Sequence, residues 1–369
     1  VAGAIVSVAD YAGTWQTNNL TVVPNGTDKI GSVNANAVLS TQGQSVTFIF
    51  VDSTQGWINT MDSTSNARGN AFVVATGGTI TTSGNDKIHT FTGPGTFTVT
   101  QAAPCATNNV VSYMVIAGGA GGVGSYGGGG GAGGFREAKS PATPYTASPL
   151  DGYPSAPNRI TVTATAFPIT VGGGGFGSHT SCSPARGGNG NNSIFSTITS
   201  TGGGGGGSGT NPPTAPVSPG APGGSGGGAG GFGPGTKTGG SGNTPPVSPS
   251  QGNNGGNTTA PGAGYSSAGG GGAGTAGTAN PNAGAPTVGT AGGNGVTTSI
   301  SASPVAYAGG GGGGGWCAGG GAGGTGGGGA GGPSASNPTV SQNGTTNLGG
   351  GGGGGRSGAG PSPVCGGAN

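Results

Sequence analysis

The chain has 369 residues, 99 of them Gly and 27 Pro, and nine Lys/Arg against seven Asp/Glu give a formal net charge of +2. Gly and Pro together make about a third of the sequence, above the ~25–30% that marks low-complexity or fibrous chains. The glycines lack the every-third-residue period that a collagen triple helix needs, and charge this sparse excludes both a basic nucleic-acid footprint and the charge-rich composition of disordered chains.

Residues 1–66 read as a small all-β module of the kind that serves assembly and oligomerisation. Apolar-rich segments at Ala4–Val8, Leu20–Val23, Ala37–Leu39 and Val46–Val51 are separated by turn sequences, notably Pro24-Asn25-Gly26 and Gln42-Gly43-Gln44. Short strands at such spacing point to a sandwich or jelly-roll-like unit. Trp15 and Trp57 are expected in its core or at a subunit interface. A unit this short buries little apolar surface alone, so help from neighbouring copies, as a homotrimer, is expected.

Residues 67–117 read as a second β unit that leads into the glycine-rich part. Phe72–Ala75 is an expected strand, and His89–Thr92 and Thr96–Thr100 flank Gly93-Pro94-Gly95 as a hairpin with a three-residue loop. Phe91 shares a face with His89, and Phe97 with Val99. His89 has no Cys, Asp or second His at useful spacing and reads as a strand-face residue.

At Val110–Phe135 an apolar strand passes without a break into glycine, and 118–369 continue as glycine runs alternating with Pro/Ser/Thr/Asn connectors. A run without side chains cannot bury a face, so neither the helical nor the strand period applies. An extended threefold chain makes no internal hydrogen bond, so each N–H and C=O must find a partner on a neighbouring segment. The connectors carry turn-forming residues and belong at the ends of the runs.

The landmarks "IHTFTGPGTFTV", "VVSYMVIAGGAGG", "GGGGGAGGFRE", "FPITVGGGG" and "GGNGNNSIFST" occur in an order that resembles the glycine-rich domain of bacteriophage tail-fibre and adhesin proteins. The resemblance begins near Lys87 and covers most of the chain beyond it. Separately, "YAGTWQTNNLTVVPNGTDKIGSVNANAVLSTQGQSVTFIFVDSTQGWI" looks like a small β module of phage virion proteins. The chain departs from the family in lacking a closing apolar strand and in its long connector Glu137–Ile160. The resemblance implies a mainly β N-terminal part followed by a bundle of polyglycine-II helices bonded side by side, with no significant α-helix.

The implied function is a virion fibre protein, a tail fibre or adhesin, on the outside of the particle. Its N-terminal part assembles with other virion proteins, and its glycine-rich distal part recognises a host-surface glycan or outer-membrane protein. A structural fibre or decoration protein without a receptor is the alternative, and an ice-binding or matrix protein a remote third. Flat rings in connectors are the candidate receptor contacts: Tyr145, Tyr153, Tyr265 and Tyr307. Trp316, beside Cys317 inside a glycine run, reads as structural. No catalytic, cofactor or metal site is expected: no acidic residue follows Asp151, and the two histidines, His89 and His179, are far apart. Cys105, Cys182, Cys317 and Cys365 lack metal-ligand spacing; three disulfide pairings and four free thiols are equally consistent. There is neither a run of ~18 apolar residues to span a membrane nor a signal peptide at the start. Val1 in place of Met fits a processed chain or one that begins earlier.

Because close backbone approach leaves no room for a Cβ, Gly312→Val is expected to reduce soluble expression and thermal stability far more than Thr287→Val; equal melting of the two variants refutes this.

Overall fold

Alternation of side chains along short β segments builds the regular part of the molecule, seen here in a computed structural model. The structure describes residues 2–63, 72–103, 105–124, 126–178, 186–209, 219–233, 235–260, 265–283, 288–315, 319–333 and 341–355. The chain divides into two units, Val1–Phe72 with Ala103–Cys105, and Val73–Ala102 with Ala106–Asn369.

In the first unit Ser45–Asp52 lies between Ile5–Ala9 and Gly56–Ser63 in an antiparallel sheet, and Leu20–Val22 pairs with Ala37–Leu39. The alternation in SVTFIFVD sends Val46 and Phe48 into a core with Leu39, against which Val8, Trp15, Leu20 and Trp57 pack. Trp57 meets Phe50 edge-on at 5.5 Å. Burial opposes ionisation of Asp10, but the backbone N–H groups of Trp15, Thr14 and Gly43 outweigh it and hold this carboxyl below its ordinary range. The opposite face of the three-stranded sheet stays open, with Ile5 and Met61 exposed.

In the second unit Gly95–Gln101 pairs with Val74–Thr76 on one side and Ala166–Thr170 on the other, and the sheet continues through Ser193–Phe195 to Ile198–Ser200. The hairpin expected around Gly93-Pro94-Gly95 does not form. Asp86–Thr90 instead turns back onto Thr79–Ser83 through the two-residue Gly84-Asn85 loop, where Gly84 has φ +58°. A two-residue turn with positive φ matches strand twist, and both edges of Gly95–Gln101 are occupied by Val74–Thr76 and Ala166–Thr170.

Tyr113–Ile116 pairs with Phe135–Ala138, so the first glycine excursion is a long loop pinned at its base by a two-stranded ladder. Pleat alternation buries both faces of this ladder. Tyr113, Val115 and Ala138 join Phe97, Val99, Ile160, Val162, Phe195 and Ile198. Met114, Ile116 and Phe135 face a second cluster with Val296 and Tyr307.

The polyglycine-II helical bundle expected for 118–369 is corrected by the structure. Among the described residues the regular elements are short strands in small antiparallel sheets, with two short 3-10 turns and no α-helix. Strands run on through the glycine-rich part, as Gly235–Lys237 with Thr258–Ala260 and Val296–Thr298 with Val305–Tyr307. The physical reason is that the side-chain-bearing residues between runs have their own β preferences and pair locally. The glycine stretches join these pairs as extended segments outside any regular element.

These segments are held by lateral backbone hydrogen bonds. Along 128–134 successive N–H groups donate to the carbonyl oxygens of Gly207, Ala268, Gly352, Gly204, Gly271, Gly349 and Thr201 at 2.8–3.1 Å. Every third donor returns to the same neighbour, so one segment is bonded to three others. A Cβ at Gly130 would strike the carbonyl oxygen of Ala120, and one at Gly312 that of Gly321. Thr287 lies outside the described residues. Each bond nets about 0.5–1.5 kcal/mol, close to the ~1–2 kcal/mol cost of ordering one residue's backbone, so the array holds only as a cooperative whole.

Asparagines replace missing backbone partners between adjacent antiparallel segments. Asn189 and Asn192 Oδ1 accept from the N–H groups of Gly205 and Gly202 at 2.9 Å each. Asn257 and Asn254 repeat this for Gly239 and Gly242 at 2.9 and 2.8 Å. In both cases a three-residue spacing on one segment meets a three-residue spacing on the other. Asn189→Ala and Asn192→Ala are each expected to cost about 1–3 kcal/mol, since a glycine N–H loses its acceptor. Denaturant unfolding checks the magnitude, and amide exchange should quicken first at Gly205 and Gly202 respectively; unchanged exchange there contradicts the assignment.

Candidate functional site

The glycine array of the second unit has two chemically different ends. At the near end segments emerge from strands: Ala117 N–H donates to Gly134 O at 3.0 Å beside the pinned ladder, Gly172 N–H to Ser193 Oγ at 2.9 Å, and Ser200 Oγ to Val115 O at 2.7 Å. At the far end the first excursion turns back where Val123 N–H reaches Gly128 O at 3.3 Å. Lateral bonds carry this level across the array: Gly124 N–H to Ser178 O, Gly187 N–H to Gly206 O, Gly207 N–H to Gly228 O, Ala229 N–H to Gly256 O.

The far end gathers rings. Tyr126, Phe232 and Tyr265 come from three different segments, with centroids 4.9, 5.8 and 5.6 Å apart. Tyr126 is placed by a left-handed backbone (φ +56°) at the turn and by its carbonyl, which accepts from Gly231 N–H at 2.8 Å. Beside Phe232, Gly235–Lys237 pairs with Thr258–Ala260, and the buried Thr258 hydroxyl donates to Gly230 O at 2.8 Å. Lys237 folds back, its Nζ donating to Gly233 O at 2.6 Å, and burial lowers its pKa. On an adjoining pair of segments Phe176 is 80% exposed and Arg186 is exposed. These two segments are linked by Gly188 N–H donating to Phe176 O at 2.8 Å.

Of the four tyrosines singled out by sequence, only Tyr265 lies at this end. Tyr307 is buried in the second core cluster at the near end, its hydroxyl 3.4 Å from Ser301 Oγ. Tyr153 packs against the first cluster with Arg159 4.7 Å above its ring. Tyr145 lies under Lys139 Nζ at 5.9 Å. Its hydroxyl is shielded from water without a hydrogen bond of normal geometry, although Glu137 and Ser112 lie close enough to bias its ionisation. Trp316 lies outside the described residues, as do His179, Cys182, Cys317 and Cys365. Sequence reasoning missed Tyr126, Phe232, Phe176 and Arg186. Their common signal is a ring or cation at the end of a glycine run, as in GSYGG, GGFG and PARGG.

The near end holds a network of buried polar side chains. Glu137 is 2% exposed; Oε2 accepts from Ser148 N–H at 2.8 Å and Oε1 from the Thr298 hydroxyl at 2.5 Å. Arg136 Nη2 donates to Asn158 Oδ1 at 2.6 Å, and Asn158 Nδ2 donates to Gly152 O and Ser248 O. This network ties the long 139–159 connector and the Val296–Thr298 strand to the pinned ladder. Its oxygens and nitrogens are committed to structural bonds. His89 behaves similarly, with Nδ1 2.8 Å from Gly77 O and its ring edge-on to Phe97 at 5.0 Å. Among the described residues no three His, Cys, Asp or Glu side chains form a group that could hold a metal, and no helix is long and apolar enough to cross a membrane.

A family model described as a glycine-rich domain matches residues 89–369, about three quarters of the chain. No curated protein and no solved structure matches.

Burial pushes the Tyr113 phenol up to about 12, its hydroxyl donating to Asn158 O at 2.7 Å, and Arg136 beside it tempers the shift. Burial first, and Glu137 second, also raise Tyr145. A folded pKa above the unfolded 10.0 means that the stabilisation by Tyr113 is complete below pH 10.0 and fades as pH rises through about 12. A tyrosinate absorbance titration should show late phenols, one of them removed by Tyr113→Phe and another by Tyr145→Phe. Loss of an early-titrating phenol in either variant contradicts the placement.

Proposed function

The chain belongs to the glycine-rich domain family, and on that premise we propose that it is a bacteriophage virion fibre protein, a tail fibre or adhesin. The first unit serves assembly with other virion proteins as a homotrimer. The glycine-rich array is a stiff stalk that carries its far end to the host surface. One observation carries this reading: the array's near end is sealed into sheets and two apolar cores, whereas away from it Phe176 and Arg186 stand exposed on two paired segments. Rigid scaffolds with exposed end groups are how recognition surfaces are built.

The order of landmarks from "IHTFTGPGTFTV" to "GGNGNNSIFST" supports a phage source. A second reading, a structural fibre or decoration protein of the capsid or tail without a receptor, is favoured by one other observation. The open sheet face of the first unit carries exposed Ile5 and Met61, the marks of a surface used between protein copies.

Pre-incubation of host cells with the purified full chain is expected to block adsorption of the phage that carries it, and Phe176→Ala is expected to weaken the block. If soluble protein neither binds cells nor slows adsorption, the receptor reading is overturned and the structural one stands. Mass measurement in solution tests the trimer separately.

A further inference from the structure

The far end differs from the rest of the chain in charge as well as in shape. No Asp or Glu occurs between residue 152 and residue 369, a stretch that contains Arg159, Arg186, Lys237 and Arg356. Arg159 belongs to the near end, where Nε donates to Tyr153 O at 2.8 Å. Lys237 is buried and spends its ammonium on Gly233 O. Arg186 is left as the exposed cation of the far end among the described residues, with no acidic side chain in its half of the sequence to neutralise it. Phe176, 80% exposed, sits on the adjoining segment, two residues out of step with it across the Gly188 N–H to Phe176 O bond.

A guanidinium is a fork that binds phosphate or carboxylate oxygens in pairs, and an isolated exposed ring covers the apolar face of a sugar at low entropy cost. The array around them offers uncharged amide and hydroxyl groups, and among the described residues Phe176 and Val288 are its exposed large hydrophobics at this end. From this juxtaposition we infer that the far end takes an anionic glycan, with Arg186 on a phosphate group and Phe176 on the adjacent sugar ring. The inference rests on the host-adsorption reading above and names the chemistry of its ligand.

The test uses the full chain and a lipid-free, phosphorylated oligosaccharide from the surface of the host whose adsorption it blocks. Binding is measured before and after phosphatase treatment of the oligosaccharide. Phosphatase treatment and Arg186→Glu are each expected to weaken binding about tenfold or more, the worth of one charge-assisted pair, and Arg186→Lys to restore part of it. Phe176→Ala is expected to weaken binding and Phe176→Tyr to retain it. Added salt should weaken binding to the phosphorylated sugar, and inorganic phosphate alone should compete poorly. Equal binding to both sugar forms, or binding to cells but to neither sugar, overturns the anionic-glycan inference while leaving adsorption intact. Failure to bind cells at all overturns both. Melting curves for each variant separate lost binding from lost fold.

Discussion

A glycine segment has no side chain to hide, so its whole contribution to stability comes from where its N–H and C=O groups go. Everything in the second unit follows from that constraint. Without a Cβ, neighbouring backbones approach until the carbonyl of one occupies the space a side chain would need, as Ala120 O does at Gly130. Alanine is admitted where its methyl fits between segments, and Ala117, Ala120, Ala132, Ala229 and Ala268 are fully buried there. Where two segments cannot pair through backbone alone, asparagine supplies the acceptor, as Asn189, Asn192, Asn254 and Asn257 do. Each contribution is small, and the cost of ordering glycine is large, so the array is stable only when all its members are in place.

Such an array has little to fix its direction, since one extended glycine segment resembles another. The ladder of Tyr113–Ile116 with Phe135–Ala138 removes that freedom. Its two faces are buried in two separate apolar clusters, and the Glu137, Arg136 and Asn158 hydrogen bonds lock the following connector beneath it. Buried polar groups of this kind are costly unless satisfied, and here they bind one register of the chain to another. The near end is therefore committed to structure. Tyr153 and Tyr307 lie against the two apolar clusters and Tyr145 beneath Lys139, whereas Tyr265 meets Tyr126 and Phe232.

The ring cluster at the far end also has a local cause. Tyr126, Phe232 and Tyr265 are too large for the array interior, so they can stand only where a segment ends. Three segments ending at the same level bring the rings together, 4.9 to 5.8 Å apart. Phe176, two residues before the last described residue of its segment, is not among these ring pairs and remains exposed.

The sequence by itself determined the local β elements and the need for lateral bonding. Period-two alternation at Ser45–Asp52 and the apolar run at Tyr113–Ile116 mark strands that the structure contains, and a glycine run has no other resource than its backbone. It did not determine which strands pair: the Gly93-Pro94-Gly95 turn was a sound local reading, and a tighter turn at Gly84-Asn85 took the strand instead. It also misread the regular structure of 118–369, because glycine carries no pattern from which conformation can be read and the residues between runs form sheets of their own. Of the candidate surface only Tyr265 was legible. Which end of the array a connector occupies depends on the direction of its segment, and that direction is written in hydrogen bonds between residues far apart in the chain. Only the tertiary structure sets it, because a glycine run carries no side-chain pattern that could mark its direction in the array.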